Sequence, residues 1–272
     1  MKRILILGGS GFIGHAMYKE LSPYYNTYAT YYSSKRFKKN QQFYHFDYTQ
    51  EDILPILKKV KPKLIISALR GPFEEQIELH QELIEHVRMF NCRILFFSSS
   101  NVFDAFHNYP SYEYDKTLSE SVYGRLKIKI ENDLMCLPTG KYVIARLPMV
   151  YGLHSPRVSE IEENIANGQS FEVFPNTIVN VNSDRKLCQQ IHYIINHQLT
   201  GIFHLGSTDL ITHYEFHKRL AEKRGWKKLV FKQVYTTNDM RYLAVLPKEN
   251  KLPAHLHPTC EEILNDAGVP FI

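Results

Sequence analysis

Cysteine is sparse and scattered in this sequence. Cys92, Cys136, Cys188 and Cys260 lie far apart, and none belongs to a C-x-x-C pair. With no secretory signal in view, that spacing predicts reduced thiols and a cytoplasmic protein rather than a disulfide framework. Long hydrophobic runs are missing too: none approaches the ~18 residues a membrane-spanning helix needs. The apolar opening "ILIL" is stopped at once by glycines, which marks a short strand and not a signal-peptide core. Internal repeats and low-complexity tracts are absent, which excludes a repeat architecture. Net charge is only +5, from 33 basic and 28 acidic residues, and the basic residues are dispersed apart from "SSKRFKKN" at 33–40. This balance does not point to nucleic acid. One local absence carries more information than these: no Asp or Glu occurs between Glu20 and Asp47.

What is present is a rhythm. Apolar runs at 3–9, 26–32, 63–69, 93–100, 141–152 and 201–207 alternate with helical patterns near 13–22, 50–60, 74–91, 117–137 and 184–198. Several of the runs are apolar at consecutive positions, as strands buried on both faces of a parallel sheet are. The alternation predicts an α/β fold with a Rossmann-type, doubly wound parallel sheet. Beyond residue 152 the rhythm loosens. Thr212-x-x-Glu215 and Thr259-x-x-Glu262 read as capping boxes, and Gly225 and Gly268 as helix stops. The expected organisation is a dinucleotide-binding domain over 1–152, with 180–210 returning to it. A smaller, mixed C-terminal substrate lobe is expected over 153–179 and 211–272.

The first run ends in Gly8, Gly9, Ser10, Gly11, Phe12, Ile13 and Gly14, and the last six of these satisfy G-x-G-x-x-G. The motif lies between a buried strand and an amphipathic helix, where backbone can approach a pyrophosphate facing the helix N-terminus. An acidic residue ~20 positions on would hold the ribose 2′-hydroxyl of NAD. Here Ser33, Ser34, Lys35 and Arg36 occupy that region. Hydroxyls and cations suit a 2′-phosphate, so NADP(H) is the expected cofactor and NAD(H) the alternative. Asp47 is read either as an acceptor for the adenine amino group or as a cap for the helix at 50–60.

The strand at 93–100 ends in Ser98, Ser99 and Ser100, where ligands sit in doubly wound sheets. The next helix carries Tyr123 and Lys127, four residues apart on one face with Glu131. That spacing alone is common on solvated helices; the order of glycine turn, strand-end serine and Tyr-x-x-x-Lys is not. With "GGSGFIG", "SSSNVFD", "YGRLKIKIE", "ARLPMVYG" and "GIFHLGS", the chain resembles the extended short-chain dehydrogenase/reductases. Within them it is most similar to the dTDP-4-dehydrorhamnose reductase group, and also to the NAD-dependent epimerases. The resemblance covers most of 1–152 and one later strand. It implies that Ser99, three positions before Val102, polarises a substrate carbonyl. It implies too that Tyr123 donates the proton and that Lys127 tunes Tyr123 and reaches the nicotinamide ribose. Glu131 is read as a helix-surface or structural carboxylate.

Family dehydratases carry an Asp-Glu pair directly after the catalytic Ser/Thr. Ser100 and Asn101 stand there in this chain and cannot serve as strong acids or bases. Where the family reads Asn-Ala-Ala after the third main strand, this chain has Ser67, Ala68, Leu69, Arg70 and Gly71, a loop expected beside the cofactor. Ser99, Ser100, Asn101, Tyr151, Asn180 and Arg185 are the candidate substrate residues. "HLHPTC" (255–260) does not complete a metal-ligand set, and no metal is expected. The expected activity is NADPH-dependent reduction of a nucleotide-linked 4-keto sugar. The alternatives are an epimerase with bound NAD and a non-catalytic, cofactor-binding regulatory protein. The expected partner is a small-molecule nucleotide sugar, with a homodimer as the assembly to test, and neither nucleic acid nor membrane.

Overall fold

A computed structural model describes residues 2–235 and 237–268 of the chain. Met1 of the expected first domain, and Thr236 and 269–272 of the expected C-terminal lobe, lie outside the described residues.

The elements follow the chain as β1 (Arg3–Leu7), α1 (Phe12–Leu21), β2 (Asn26–Tyr31), β3 (Phe43–His45), α2 (Leu54–Val60), β4 (Leu64–Ser67) and α3 (Phe73–Met89). Next come β5 (Arg93–Ser99), α4 (Val122–Met135), β6 (Tyr142–Leu147), β7 (Met149–Tyr151) and α5 (Pro156–Ala166). Then follow β8 (Ser170–Val173), β9 (Thr177–Val179), β10 (Val181–Ser183), α6 (Asp184–Asn196) and β11 (Gly201–His204). The last are β12 (Ile211–Thr212), α7 (His213–Arg224), β13 (Val230–Gln233), β14 (Arg241–Leu243) and α8 (Cys260–Gly268).

The chain divides into two compact units. The first is Met1–Ser98, Val122–Ala145 and Ile191–Ile202; the second is Ser99–Ser121, Arg146–Gln190 and Phe203–Ile272. Among the described residues, seven strands form one sheet in the order β11-β6-β5-β4-β1-β2-β3. The pairings from β3 through β5 are parallel. The order reverses between β1 and β4, the switch point at which doubly wound sheets bind ligands. The consecutive apolar runs of β1 and β4 are buried throughout their centres. They join Leu79, Leu83, Val87, Leu126, Ile130 and Leu134 from α3 and α4 in one core. "GIFHLGS" supplies the edge strand β11, while of the expected return over 180–210 only Ile191–Ile202 falls in the first unit.

The second unit has smaller sheets: β10 with β7, β12-β9-β14, and β13 with β8. Its core gathers Tyr151, Val158, Val181, Phe216, Leu220, Ile263 and Leu264. Both capping boxes are present. Glu215 N donates to Thr212 Oγ1 at 3.2 Å, and Thr259 N and Glu262 N bond reciprocally to the Glu262 and Thr259 side chains. Gly225 closes α7 at φ 67°.

Three boundaries differ from the expected ones. The run 141–152 breaks at Pro148, which has no N–H to donate, so β6 stays in the main sheet while β7 pairs with β10. The helix expected from 117 starts at Val122, because Asp104 accepts bonds from Ser119 Oγ, Ser121 Oγ and Glu120 N and holds 119–121 as a loop. The segment 99–121, placed by sequence in the first domain, belongs to the second unit. Ser111 N donates to Ala244 O, Leu246 N to Ser111 O and Tyr242 N to His107 O. Among the described residues no helix is long and apolar enough to cross a membrane.

Candidate active site

In the first unit, β1 runs straight into a turn that only glycine can make. Gly8 has φ 76°, and a Cβ there would stand 2.7 Å from Ala68 O at the end of β4. A Cβ on Gly14 would stand 2.2 Å from Gly8 O. Strand, turn and helix are therefore in backbone contact, and side chains are excluded from the ground between them. Gly8 N donates to Thr30 Oγ1 at 3.0 Å, and Gly11 N to Gly8 O at 3.0 Å. Gly11 is the N-cap of α1 and offers no side-chain cap, so the first turn's N–H groups are not answered by one. Ser10, Phe12 and Ile13 complete the turn and the opening of α1. This cradle fits a dinucleotide pyrophosphate, and the residues that would hold it are Gly8 to Gly14.

Ser33, Lys35 and Arg36 are exposed beyond β2, with Lys35–Phe37 in a short 3-10 turn. The Arg36 guanidinium lies 4.5 Å over the Phe37 ring, which stacks on Phe43 at 4.2 Å. Nearby His15 on α1 has a buried Nδ1 with no hydrogen-bond partner. Burial, then the charges of Lys19 and Arg36, hold its ring below the ordinary histidine range. The glycine motif drew attention away from His15, although it follows Gly14 directly. Asp47 does not cap α2, whose N-cap is Ile53. Its Oδ1 instead accepts from Thr49 N at 3.0 Å and Thr49 Oγ1 at 2.7 Å, which lowers its pKa.

Also in the first unit, α4 presents Tyr123 and Lys127 very differently. The Tyr123 side chain is 41% exposed, whereas Lys127 is 4% exposed. Lys127 Nζ donates to Phe97 O at 3.1 Å, near the carboxyl end of β5. The ammonium lies 4.5 Å over the Phe96 ring and 5.5 Å over the Tyr123 ring. Burial pushes Lys127 down to about 8, Glu131 opposes that, and Arg70 adds to it. At neutral pH the group keeps its proton. Glu131 is fully buried, which removes the helix-surface alternative and leaves the structural one. The spacing from Lys127 was visible, but the depth of that helix face was not. Arg70 follows Ala68 and Leu69, and its carbonyl accepts from Tyr48 OH at 3.1 Å.

Sequence reasoning also passed over His80. Its Nδ1–H donates to Gln76 O at 2.6 Å, so Nε2 accepts from Ser67 Oγ at 2.9 Å. Burial, with Lys127's charge as a smaller cause, lowers it to about 4. A neutral ring thus buttresses the end of β4.

The second unit contains the serine side. Ser99 closes β5 and caps the 3-10 turn Ser100–Phe103, accepting from Asn101 N at 3.2 Å and donating to Asn101 Oδ1 at 2.9 Å. Ser100 is buried and Asn101 half-buried. Tyr151 and Asn180 are withdrawn from the substrate set by their surroundings. Tyr151 is wholly buried and its OH donates to His217 Nε2 at 2.9 Å. Asn180 Nδ2 donates to Ser207 O and Val245 O, and its Oδ1 accepts from Val245 N. Arg185 is exposed and pairs with Asp266 at 3.5 Å. Among the described residues no group of three His, Cys, Asp or Glu is placed to hold a metal ion.

Residues 4–180 match the NAD dependent epimerase/dehydratase family. Among curated proteins, methionine adenosyltransferase 2 subunit beta of Danio rerio is 22% identical over 247 residues, 81% of this chain and 73% of that protein. Among solved structures, the NADP complex of dTDP-4-dehydrorhamnose reductase from Bacillus anthracis superposes with TM-score 0.77 at 19% identity, covering 98% of each chain. The Bordetella bronchiseptica enzyme WbmH in complex with NAD+ gives TM-score 0.79 at 13% identity, covering 98% of this chain and 97% of that one. At such identities the structures share the fold.

Proposed function

The chain belongs to the NAD dependent epimerase/dehydratase family, and from that premise we propose that it is an NADPH-dependent reductase of a nucleotide-linked 4-keto sugar. The carrying observation is Lys127, a buried ammonium held on Phe97 O one helical turn from an exposed Tyr123, in the unit that contains the glycine cradle. When bound, the nicotinamide dinucleotide supplies the hydride to the carbonyl carbon. Tyr123 passes its phenolic proton to the carbonyl oxygen. A phenol near pKa ~10 is a poor donor of this kind on its own. The adjacent Lys127 charge is assigned to favour the phenolate that this transfer leaves behind. Ser99 is assigned the hydrogen bond that polarises the carbonyl.

NADPH is preferred because Lys35 and Arg36 stand where a carboxylate would repel a 2′-phosphate. Asp47 is assigned to the adenine, and Ala68, Leu69 and Arg70 to the cofactor's nicotinamide half. Reduction is favoured over dehydration because Ser100 and Asn101 carry no carboxylate. The substrate class is supported by the reductases among the structural neighbours. Ser99, Ser100 and Asn101 are its assigned contacts, and the second unit its assigned binding unit.

The test is NADPH consumption with a panel of nucleotide 4-keto sugars. Turnover on at least one is expected; no turnover on any, with folded protein that binds NADPH, overturns the reading. A second reading draws on the curated relative named as a subunit: a cofactor-binding regulatory protein. It predicts that Tyr123→Phe leaves cellular function intact.

A further inference from the structure

The second unit has a groove of about 500 Å3 lined by none of the residues assigned to the proposed reduction. Small-molecule sites span roughly 300–1,000 Å3. Tyr112, Leu246 and Pro247 give the groove its apolar lining, and Thr208, Lys248, Lys251 and His257 its polar groups. No carboxylate lines it among the described residues.

The cations are left uncompensated by the way the loop is built. Glu113, the residue after Tyr112, is buried. Its carboxylate accepts backbone bonds from Lys248 N at 3.1 and 3.0 Å, Glu249 N at 3.3 Å and Asn250 N at 3.3 Å. It therefore fixes the main chain that carries Lys248 and does not pair with the ammonium. Lys248 Nζ lies instead 5.6 Å over the Tyr112 ring. Among the described residues neither Lys248 nor Lys251 forms a salt bridge. His257 Nε2–H donates to Leu252 O at 2.7 Å, which fixes the ring at the groove. The Thr208 main chain is anchored to Pro258 O at 3.0 Å, which holds its hydroxyl at the groove.

Two unpaired ammonium groups on one concave surface match a dianion better than a single carboxylate. The apolar wall beside them suits the flat, uncharged part of the same molecule, and the volume admits one nucleotide rather than a strand. We propose that this groove binds a phosphorylated ligand of nucleotide size. Its phosphoryl oxygens are held by Lys248 and Lys251, its base or sugar packs on Tyr112, and a sugar hydroxyl is met by Thr208 or His257. That chemistry has two sources: the nucleoside diphosphate of the substrate, or a separate nucleotide effector.

The experiment uses the full chain saturated with NADPH, titrated calorimetrically with dTDP and with inorganic pyrophosphate. Both probes are expected to bind the wild type. Lys248→Ala/Lys251→Ala should weaken dTDP at least tenfold while leaving NADPH affinity unchanged, and Lys248→Arg/Lys251→Arg should restore it. A wild type that binds neither probe, or an alanine variant that binds dTDP as the wild type does, overturns the proposal. Should the alanine variant fail to fold, acetylation of the wild type read by mass spectrometry decides. Protection of Lys248 and Lys251 by dTDP supports the site, and equal labelling with and without dTDP overturns it. A dTDP-sugar that displaces dTDP assigns the groove to the substrate; joint binding of the two assigns it to an effector. Because dTDP binding is read without turnover, its failure is distinguishable from failure of the reductase reading.

Discussion

The two units use their polar groups in opposite ways. The first presents them at its surface where a ligand would need them: the start of α1, which has no side-chain cap, the exposed Lys35 and Arg36, and the exposed Tyr123 ring. The second ties many of its buried polar groups to itself. Asn180 clamps Ser207 and Val245; Asn182 Nδ2 bonds Gln190 and Leu205 O; Arg146 Nη1 donates to Glu113 O. The residues tied in this way are framework, because an unpartnered one would cost about 1–3 kcal/mol. The lesson is that burial separates recognition from architecture. Asparagine or tyrosine in the second unit signals a ligand only where its side chain is not already committed, and Tyr151 and Asn180 are committed.

The largest expected effect breaks the comparison at Tyr123. Tyr123→Phe should lower turnover by roughly 10²–10⁴-fold, with NADPH affinity and thermal midpoint nearly unchanged. An unchanged turnover would show that the open polar groups of the first unit serve binding alone.

Acid should separate the units next. Burial holds His204 and His213 down to about 3 and His217 to about 4 in the second unit, against His80 at about 4 in the first. These rings are neutral when folded but take up protons near pH ~6.5 when unfolded. The unfolded chain then binds more protons, so stability is present above that pH. It is lost as pH falls toward the folded values, by up to about 1.4 kcal/mol per pH unit for each ring. Trp226, the single tryptophan, lies in the second unit and reports on it. Its urea midpoint should fall between pH 7 and pH 5. Amide exchange should show the second unit loosening before the first; the reverse order would break the comparison.

A smaller effect follows at Asn180. Asn180→Ala strands two carbonyls and one N–H in a core, so a loss of about 2–3 kcal/mol is expected from chemical denaturation. A loss below about 0.5 kcal/mol would mean that the clamp is not the framework it is taken for. The smallest effect lies at the cofactor's far end. Lys35→Ala/Arg36→Ala should narrow the preference for NADPH over NADH by about tenfold, or ~1.4 kcal/mol, read from the two dissociation constants. An unaltered ratio would move the discrimination elsewhere, with His15 the next residue to test.

Legibility differed between the units for physical reasons. Consecutive apolar runs identified β1, β4 and β5 because strands covered on both faces leave no alternation to misread. The glycine turn was legible because its residues must be small, and the close approaches at Gly8 and Gly14 show why. Pro148 lay in plain view, yet the split of β6 from β7 depends on which neighbours each half finds. Asp104's hold on 119–121 and Glu113's hold on 248–250 join positions distant in sequence, and no local period records them.

The sequence by itself determined the order of strands and helices as far as residue 152, the glycine cradle, the lack of a carboxylate after β2 and the Tyr123–Lys127 spacing. Each of these follows from local sterics, periodicity or charge. Tertiary structure alone decided that Lys127 is buried on Phe97 O, that Glu131 lies inside, that Asp47 folds onto Thr49, and that Tyr151 and Asn180 are framework. Those outcomes depend on desolvation and on partners far away along the chain, and a side chain's role is set by what surrounds it in three dimensions.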